Sequence, residues 1–212
     1  MNIKPVFTAF ILLLCMLPAR HVLAQTTRMD STWATRNLDG VRFRNGELIP
    51  EVKTDEEWAK ASAEKRPAWC YYKNDLGNGR KYGKLYNWYA VNDARGLAPK
   101  GWHIPTDQEW DKLITQQGGQ PTAGKALKSA KGWIQDGNGS NESAFNAFPG
   151  GMRLDQAGTF AGIDKAIGYW SSTEAKPSAA WCYSLSAQLG SVIRTSDNKG
   201  MGYYVRCVKN KD

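Results

Sequence analysis

The run Gly101-Trp102-His103-Ile104-Pro105-Thr106-Asp107-Gln108-Glu109-Trp110 converts an extended approach into a helix. Thr106 followed three residues later by Glu109 forms a capping box. The Thr hydroxyl accepts from the Glu backbone N–H, and the Glu carboxylate accepts from the Thr N–H. Asp107 and Glu109 add negative charge at the positive end of the helix dipole. Pro105 ends the extended segment, and Trp110, Leu113 and Ile114 then fall on one helical face. The run therefore predicts a sharp strand-to-helix corner, with the helix stopping at Gly118-Gly119.

Working outward, Thr54-Asp55-Glu56-Glu57-Trp58 carries the same start signal and predicts a second short helix to about Lys65. The echo is too brief for an internal repeat. Trp33 to Leu38 and Val41 to Leu48 read as extended, with Asn45-Gly46 as a hairpin turn. Trp69 to Tyr72 reads as a strand, Lys73 to Lys81 as a loop, Leu85 to Val91 as a buried helix, and Ala123 to Ala130 as a short helical piece. Beyond Phe145 the pattern changes to extended runs between turns: Phe148–Leu154, Gly168–Ser172, Ala180–Leu185, Val192–Ser196 and Gly202–Val208. In the last, Tyr203, Val205 and Cys207 face one side and Tyr204 and Arg206 the other. Short helices early and twisted antiparallel strands late define an α+β, loop-rich domain over 32–212.

The first residues have the pattern of an export signal. Lys4 precedes an apolar run from Val6 to Leu17, and Val22-Leu23-Ala24 is a small-residue cleavage site. The expected organisation is a signal at 1–24, a flexible polar lead at 25–31, and one domain. This places the protein outside the cytoplasm (secreted, periplasmic or on the cell surface) with no stable membrane insertion once the signal is removed. The net charge of +8 falls to +6 without Lys4 and Arg20, and the charge is scattered along the chain. There is no basic stripe or module of the kind nucleic-acid binding requires. Of the four cysteines, Cys70, Cys182 and Cys207 remain after the signal. An oxidising compartment makes one disulfide the expectation, and of three pairings Cys70 with Cys207 is favoured, each lying in an aromatic strand-like run. The fate of Cys182 stays open.

Five blocks carry a resemblance: Tyr82 to Ala90, Gly101 to Trp110, Phe145-Asn146-Ala147-Phe148-Pro149-Gly150-Gly151-Met152-Arg153, Tyr169-Trp170-Ser171-Ser172-Thr173-Glu174, and Val205-Arg206-Cys207-Val208. Together, and in order, they resemble the Fibrobacter succinogenes major paralogous domain over about Trp33 to Lys209. More distantly the chain is similar to the C-type-lectin-like fold, including its formylglycine-generating-enzyme branch, where a Pro-Thr-x-x-Glu-Trp helix start and a closing Arg-Cys strand recur. The resemblance implies a compact scaffold with an aromatic core and no particular reaction. The Glu-Pro-Asn or Gln-Pro-Asp loop of calcium-dependent lectins does not occur, nor does the close cysteine pair of the oxidase branch.

His103 is the one histidine beyond the signal, and its place at the corner suits a structural role better than general-base work. Asp136, Asn138, Asn141 and Glu142, with Ser140, cluster oxygen atoms as calcium prefers, without EF-hand spacing. No other cofactor is expected. Trp133, Trp181 and Tyr183 offer flat faces on which sugar rings could stack. The expected function is a non-catalytic binding or adhesion module for glycan or a surface protein. The alternatives are a cryptic polysaccharide-acting enzyme and a purely structural surface component.

Overall fold

The structure, a computed structural model, describes residues 32–211; the expected signal (1–24), the lead (25–31) and Asp212 lie outside them. In chain order the elements are α1 (Asp55–Ala63), β1 (Trp69–Cys70), α2 (Leu76–Tyr82), β2 (Leu85–Tyr86), α3 (Trp88–Val91), β3 (Trp102–His103), α4 (Asp107–Gln116), α5 (Ala123–Leu127), β4 (Gly150–Arg153), β5 (Phe160–Ile163), β6 (Ala166–Lys176), β7 (Ala179–Ser186), β8 (Ile193–Asn198) and β9 (Val208–Lys209). Helices dominate the first half and strands the second, so the fold is α+β.

Both capping boxes form. Thr54 and Glu57 close the start of α1, and Thr106 and Glu109 the start of α4. Past α4, Gly118 and Gly119 take positive φ (96° and 86°), as a helix exit requires. The main sheet has the order β5-β4-β6-β7-β8. Its pairings are antiparallel except β4 with β6, which meet in parallel at Gly151 and Ile167.

Alternation along β6 and β7 divides the interior into two cores. Ile167, Tyr169, Tyr183 and Leu185 face one core, centred on Trp110; Trp170, Ala180 and Cys182 face the other, shared with Trp88 and Tyr203. Trp110 is ringed by aromatics: Trp33 at 4.9 Å, Tyr183 stacked at 4.9 Å, Tyr169 at 5.5 Å and Phe145 at 5.8 Å. Each such pair contributes about 0.5–1.5 kcal/mol beyond burial. The C-terminal stretch threads between the cores as read from the sequence: Tyr203, Val205 and Cys207 enter one, Tyr204 the other. It bridges to Tyr86, Tyr169 and Arg153, then closes as β9 on β3 and on Trp33.

Three expectations are corrected. Lys73 to Lys81 is not a loop but a 3-10 turn followed by α2, whose first turn is capped by Asp75 accepting from Asn78 N at 2.7 Å. Gly79, a breaker by propensity, is required there because a Cβ would lie 2.4 Å from the Tyr71 ring. Leu85 to Val91 is not one helix: Leu85–Tyr86 pairs with β1, and Asn87 then caps a four-residue helix by accepting from Ala90 N. The Cys70–Cys207 disulfide is absent. Both thiols are free and buried, and they face different cores, Cys70 the first and Cys207 the second. A bridge needs opposed Cβ atoms about 4 Å apart, which these orientations do not supply. Cys182 is also free and buried.

Candidate functional site

Three surface features merit a chemical reading. The first is a groove of about 420 Å³ between the N-terminal segment, the end of α2 and the Asn146–Phe148 turn. Its floor is built by Arg206, which is 2% exposed. Arg206 donates to Asn37 Oδ1 from Nε (2.9 Å) and Nη2 (2.7 Å), and from Nη1 to the carbonyls of Phe145 (2.7 Å) and Ala34 (3.2 Å). Asn37 in turn donates to the Tyr82 carbonyl at 2.8 Å. The guanidinium lies 4.2 Å from the Phe145 ring centre. Burial pulls its pKa below the ordinary arginine value, and no carboxylate offsets that cost. An arginine remains charged at any physiological pH despite such a shift.

Arg36, Arg80 and Lys81 stand exposed on the rim. Among the described residues none of the three has a carboxylate partner, although the Lys81 ammonium lies 4.6 Å over the Tyr82 ring. The lone acid of the groove, Asp39, is bound to the buried ammonium of Lys84. The groove thus holds three cations without carboxylate partners over a hydrogen-bonded floor built by a fourth, Arg206.

The second feature is a cleft of about 410 Å³ bounded by α4 and the C-terminal strand. In it His103 Nε2 lies 2.8 Å from Glu109 Oε1, and Nδ1 lies 2.9 Å from Asn210 Oδ1. The other Glu109 oxygen accepts from Thr106 N (2.9 Å) and Thr106 Oγ1 (3.1 Å). Burial works against the Glu109 carboxylate. The Thr106 N–H and His103 outweigh it, holding its pKa below the ordinary value. His103 and Glu109 are each about one-third exposed, at 35% and 32%. Every polar atom of the pair is engaged in tying β3 and the C-terminal tail to the start of α4. No thiol shares the cleft, since Cys207 is buried. The geometry is that of a latch.

The third feature is the face of strand β7 that carries Trp181. The Arg194 guanidinium lies 3.4 Å over the Trp181 ring and binds both oxygens of Asp107 at 2.9 and 2.8 Å. Tyr183 donates to the same carboxylate at 2.6 Å. Burial opposes ionisation of Asp107, but Arg194 and Tyr183 outweigh it and lower its pKa. The predicted stacking trio is therefore split. Trp133 is buried, its Nε1 donating to Ser129 Oγ and to the Ala147 carbonyl at 3.1 Å each. Tyr183 is buried against Trp110. Both are core residues, which corrects their reading as sugar platforms. Trp181 keeps one half-exposed ring, already covered by Arg194.

In the proposed cation loop the two amide oxygens accept from the backbone. Asn138 Oδ1 accepts from Trp133 N at 3.0 Å, and Asn141 Oδ1 from Asn146 N at 2.8 Å. Asp136 and Glu142 are exposed. Among the described residues no three His, Cys, Asp or Glu side chains converge to hold a metal. Two of the four candidate ligands, Asn138 and Asn141, are thus engaged within the loop itself.

The family model of the Fibrobacter succinogenes major domain matches residues 29–209. The chain belongs to this family. The five blocks of the sequence now have places in the domain: the α2–α3 wall, the α4 corner, the turn at the groove, strand β6 and the closing strand. No curated protein and no solved structure matched the chain. The C-type-lectin-like likeness therefore stays with the motifs that implied it. Among the described residues, no helix of the domain is long and apolar enough to cross a membrane.

The groove residues were not singled out from the sequence. Arg80-Lys81 was visible as a basic pair, but within a stretch read as a loop. Arg36 and Arg206 join it only through folding, as the 169-residue separation of Asn37 and Arg206 illustrates.

Proposed function

We propose that this domain is an exported, surface-associated binding module that engages a glycan or another envelope component without chemical turnover. The groove framed by Arg36, Arg80, Lys81 and Asn37 carries the reading. It is open, polar and mounted on a floor that several hydrogen bonds hold in place, so its rim groups can meet a ligand with little reorganisation. The His103–Glu109 pair supports it from the other side. A general base must be available to a substrate proton, and these groups are spent on a helix cap and a strand tie.

Probing the purified protein on a glycan array, with and without EDTA, tests this. The expected result is retention of a subset of glycans that chelator leaves unchanged and Arg36→Ala or Arg80→Ala weakens. Retention abolished by EDTA would move the site to the Asp136–Glu142 loop. The competing reading, a polysaccharide-acting enzyme, draws on the His103–Glu109 contact in the second cleft; turnover abolished by Glu109→Gln would establish it. Silence in both assays would leave a structural surface component.

A further inference from the structure

The Arg206 floor of the groove is a cation buried without a carboxylate. Four of its hydrogen bonds go to two backbone carbonyls and one amide oxygen. Directly above it, Arg36, Arg80 and Lys81 project from two separate elements toward one space, again with no acid among the described residues to neutralise them. Like charges held together in this way raise the local potential, and a concave wall focuses it. Several arginines elsewhere on this domain are arranged differently. Arg66 pairs with Glu64, Arg95 with Asp93 and Glu47, and Arg194 with Asp107. In the groove three exposed cations converge beside a single acid, Asp39, which the buried Lys84 already engages.

The shape and the other groups narrow the class. Guanidinium forks match planar carboxylates through paired hydrogen bonds. Thr35 and Asn146 add neutral polar groups at the rim, and Phe148 adds a half-buried apolar face. That mixture suits a hydroxylated ring carrying an acid. A single-stranded nucleic acid would call for a row of exposed aromatics on which successive bases stack, and the groove offers only Phe148.

We infer that the groove is the seat of an acidic saccharide chain, its carboxylates held by Arg36, Arg80 and Lys81 above Arg206. The inference rests on the binding reading above and specifies its ligand.

The test is calorimetric titration of the purified protein with three probes: a galacturonate oligosaccharide, its methyl ester, and monomeric galacturonic acid. The oligosaccharide is expected to bind, with affinity falling as salt rises. The ester and the monomer should each bind at least about tenfold more weakly, the scale of losing one charge-assisted contact. Arg36→Ala and Arg80→Ala should each cost a similar factor, with an unchanged unfolding midpoint because both side chains are exposed. Equal affinity for acid and ester, or for chain and monomer, would overturn the inference. So would arginine variants that bind as the parent does. If neutral glycans alone are retained on the array, the binding reading stands and the acidic assignment falls. If no glycan of either kind is bound, both fall.

Discussion

Arg206, near the end of the chain, donates two hydrogen bonds to the side-chain oxygen of Asn37, near its start, at 2.9 and 2.7 Å. Asn37 passes the connection to the Tyr82 carbonyl. One side-chain amide thus joins the N-terminal segment, α2 and the closing strand, and the same three segments enclose the groove. Fold closure and the groove depend on a common contact. Asn37→Ala should leave buried Arg206 donors without their acceptor and lower stability by about 1–3 kcal/mol. Its measure is the denaturant midpoint. A change under about 0.5 kcal/mol would show that Arg206 finds other partners.

A second buried arginine offers a stricter test. Arg153 is fully buried and donates to the carbonyls of Gly158, Val52, Lys53 and Thr54 at 2.7, 2.7, 3.0 and 2.7 Å. Gly158 sits at φ +64°, and a Cβ there would approach the Asp55 backbone to 2.3 Å. Arg153→Met and Gly158→Ala should each lower stability by about 3 kcal/mol or more, through orphaned carbonyls and backbone strain respectively. The double variant should lose less than the sum, because both changes break one strap. Full additivity would contradict that linkage.

Acid should weaken the fold through the start of α4. Asp107 and Glu109 both have folded pKa values below their ordinary 3.8 and 4.5. The folded state therefore binds protons less readily than the unfolded chain. Their stabilisation is complete above the ordinary carboxylate range and is lost as pH falls through it toward the depressed values. Asp107→Asn and Glu109→Gln should each flatten the fall in unfolding midpoint between about pH 5 and 2. An unchanged slope would mean that these carboxylates are not the titrating groups.

Burial pushes the thiols of Cys70, Cys182 and Cys207 up to about 12 each. Reaction requires the thiolate, so none of the three should label with a thiol reagent in the native protein at neutral pH. All three should label in denaturant without prior reduction. Recovery of a linked Cys70–Cys207 peptide would contradict the free state of these residues.

The tryptophans should divide by burial. Trp133→Ala is expected to cost about 3–5 kcal/mol, as large core truncations do. Trp181→Ala forfeits mainly its Arg194 contact, about 0.5–2 kcal/mol, and should leave ligand retention intact. Retention lost with Trp181→Ala in a protein that stays folded would shift the ligand seat to the sheet face around Trp181.

The sequence was most informative where structure is set locally. Both capping boxes, the Gly118-Gly119 stop and the alternation of Tyr203 to Cys207 depend on neighbours a few residues apart, and each appears as read. Helix α2 was hidden because Gly77, Asn78 and Gly79 lower its propensity; packing of Gly79 under Tyr71 overrides that. Tryptophan identity could not separate a core plate from a surface one, since Trp133 and Trp181 look alike without burial. The groove was hidden for another reason. Its four cations look scattered along the chain and converge only once α2 and the closing strand meet the N-terminal segment.

Binding without bond cleavage is tested most directly on the bound polysaccharide itself. A galacturonate polymer is held with the protein for hours, eluted in salt, and its reducing ends and chain length are compared with an untreated sample. The predicted result is retention of the polymer with both quantities unchanged. Reducing ends that accumulate with time, and cease to do so in Glu109→Gln, would contradict it.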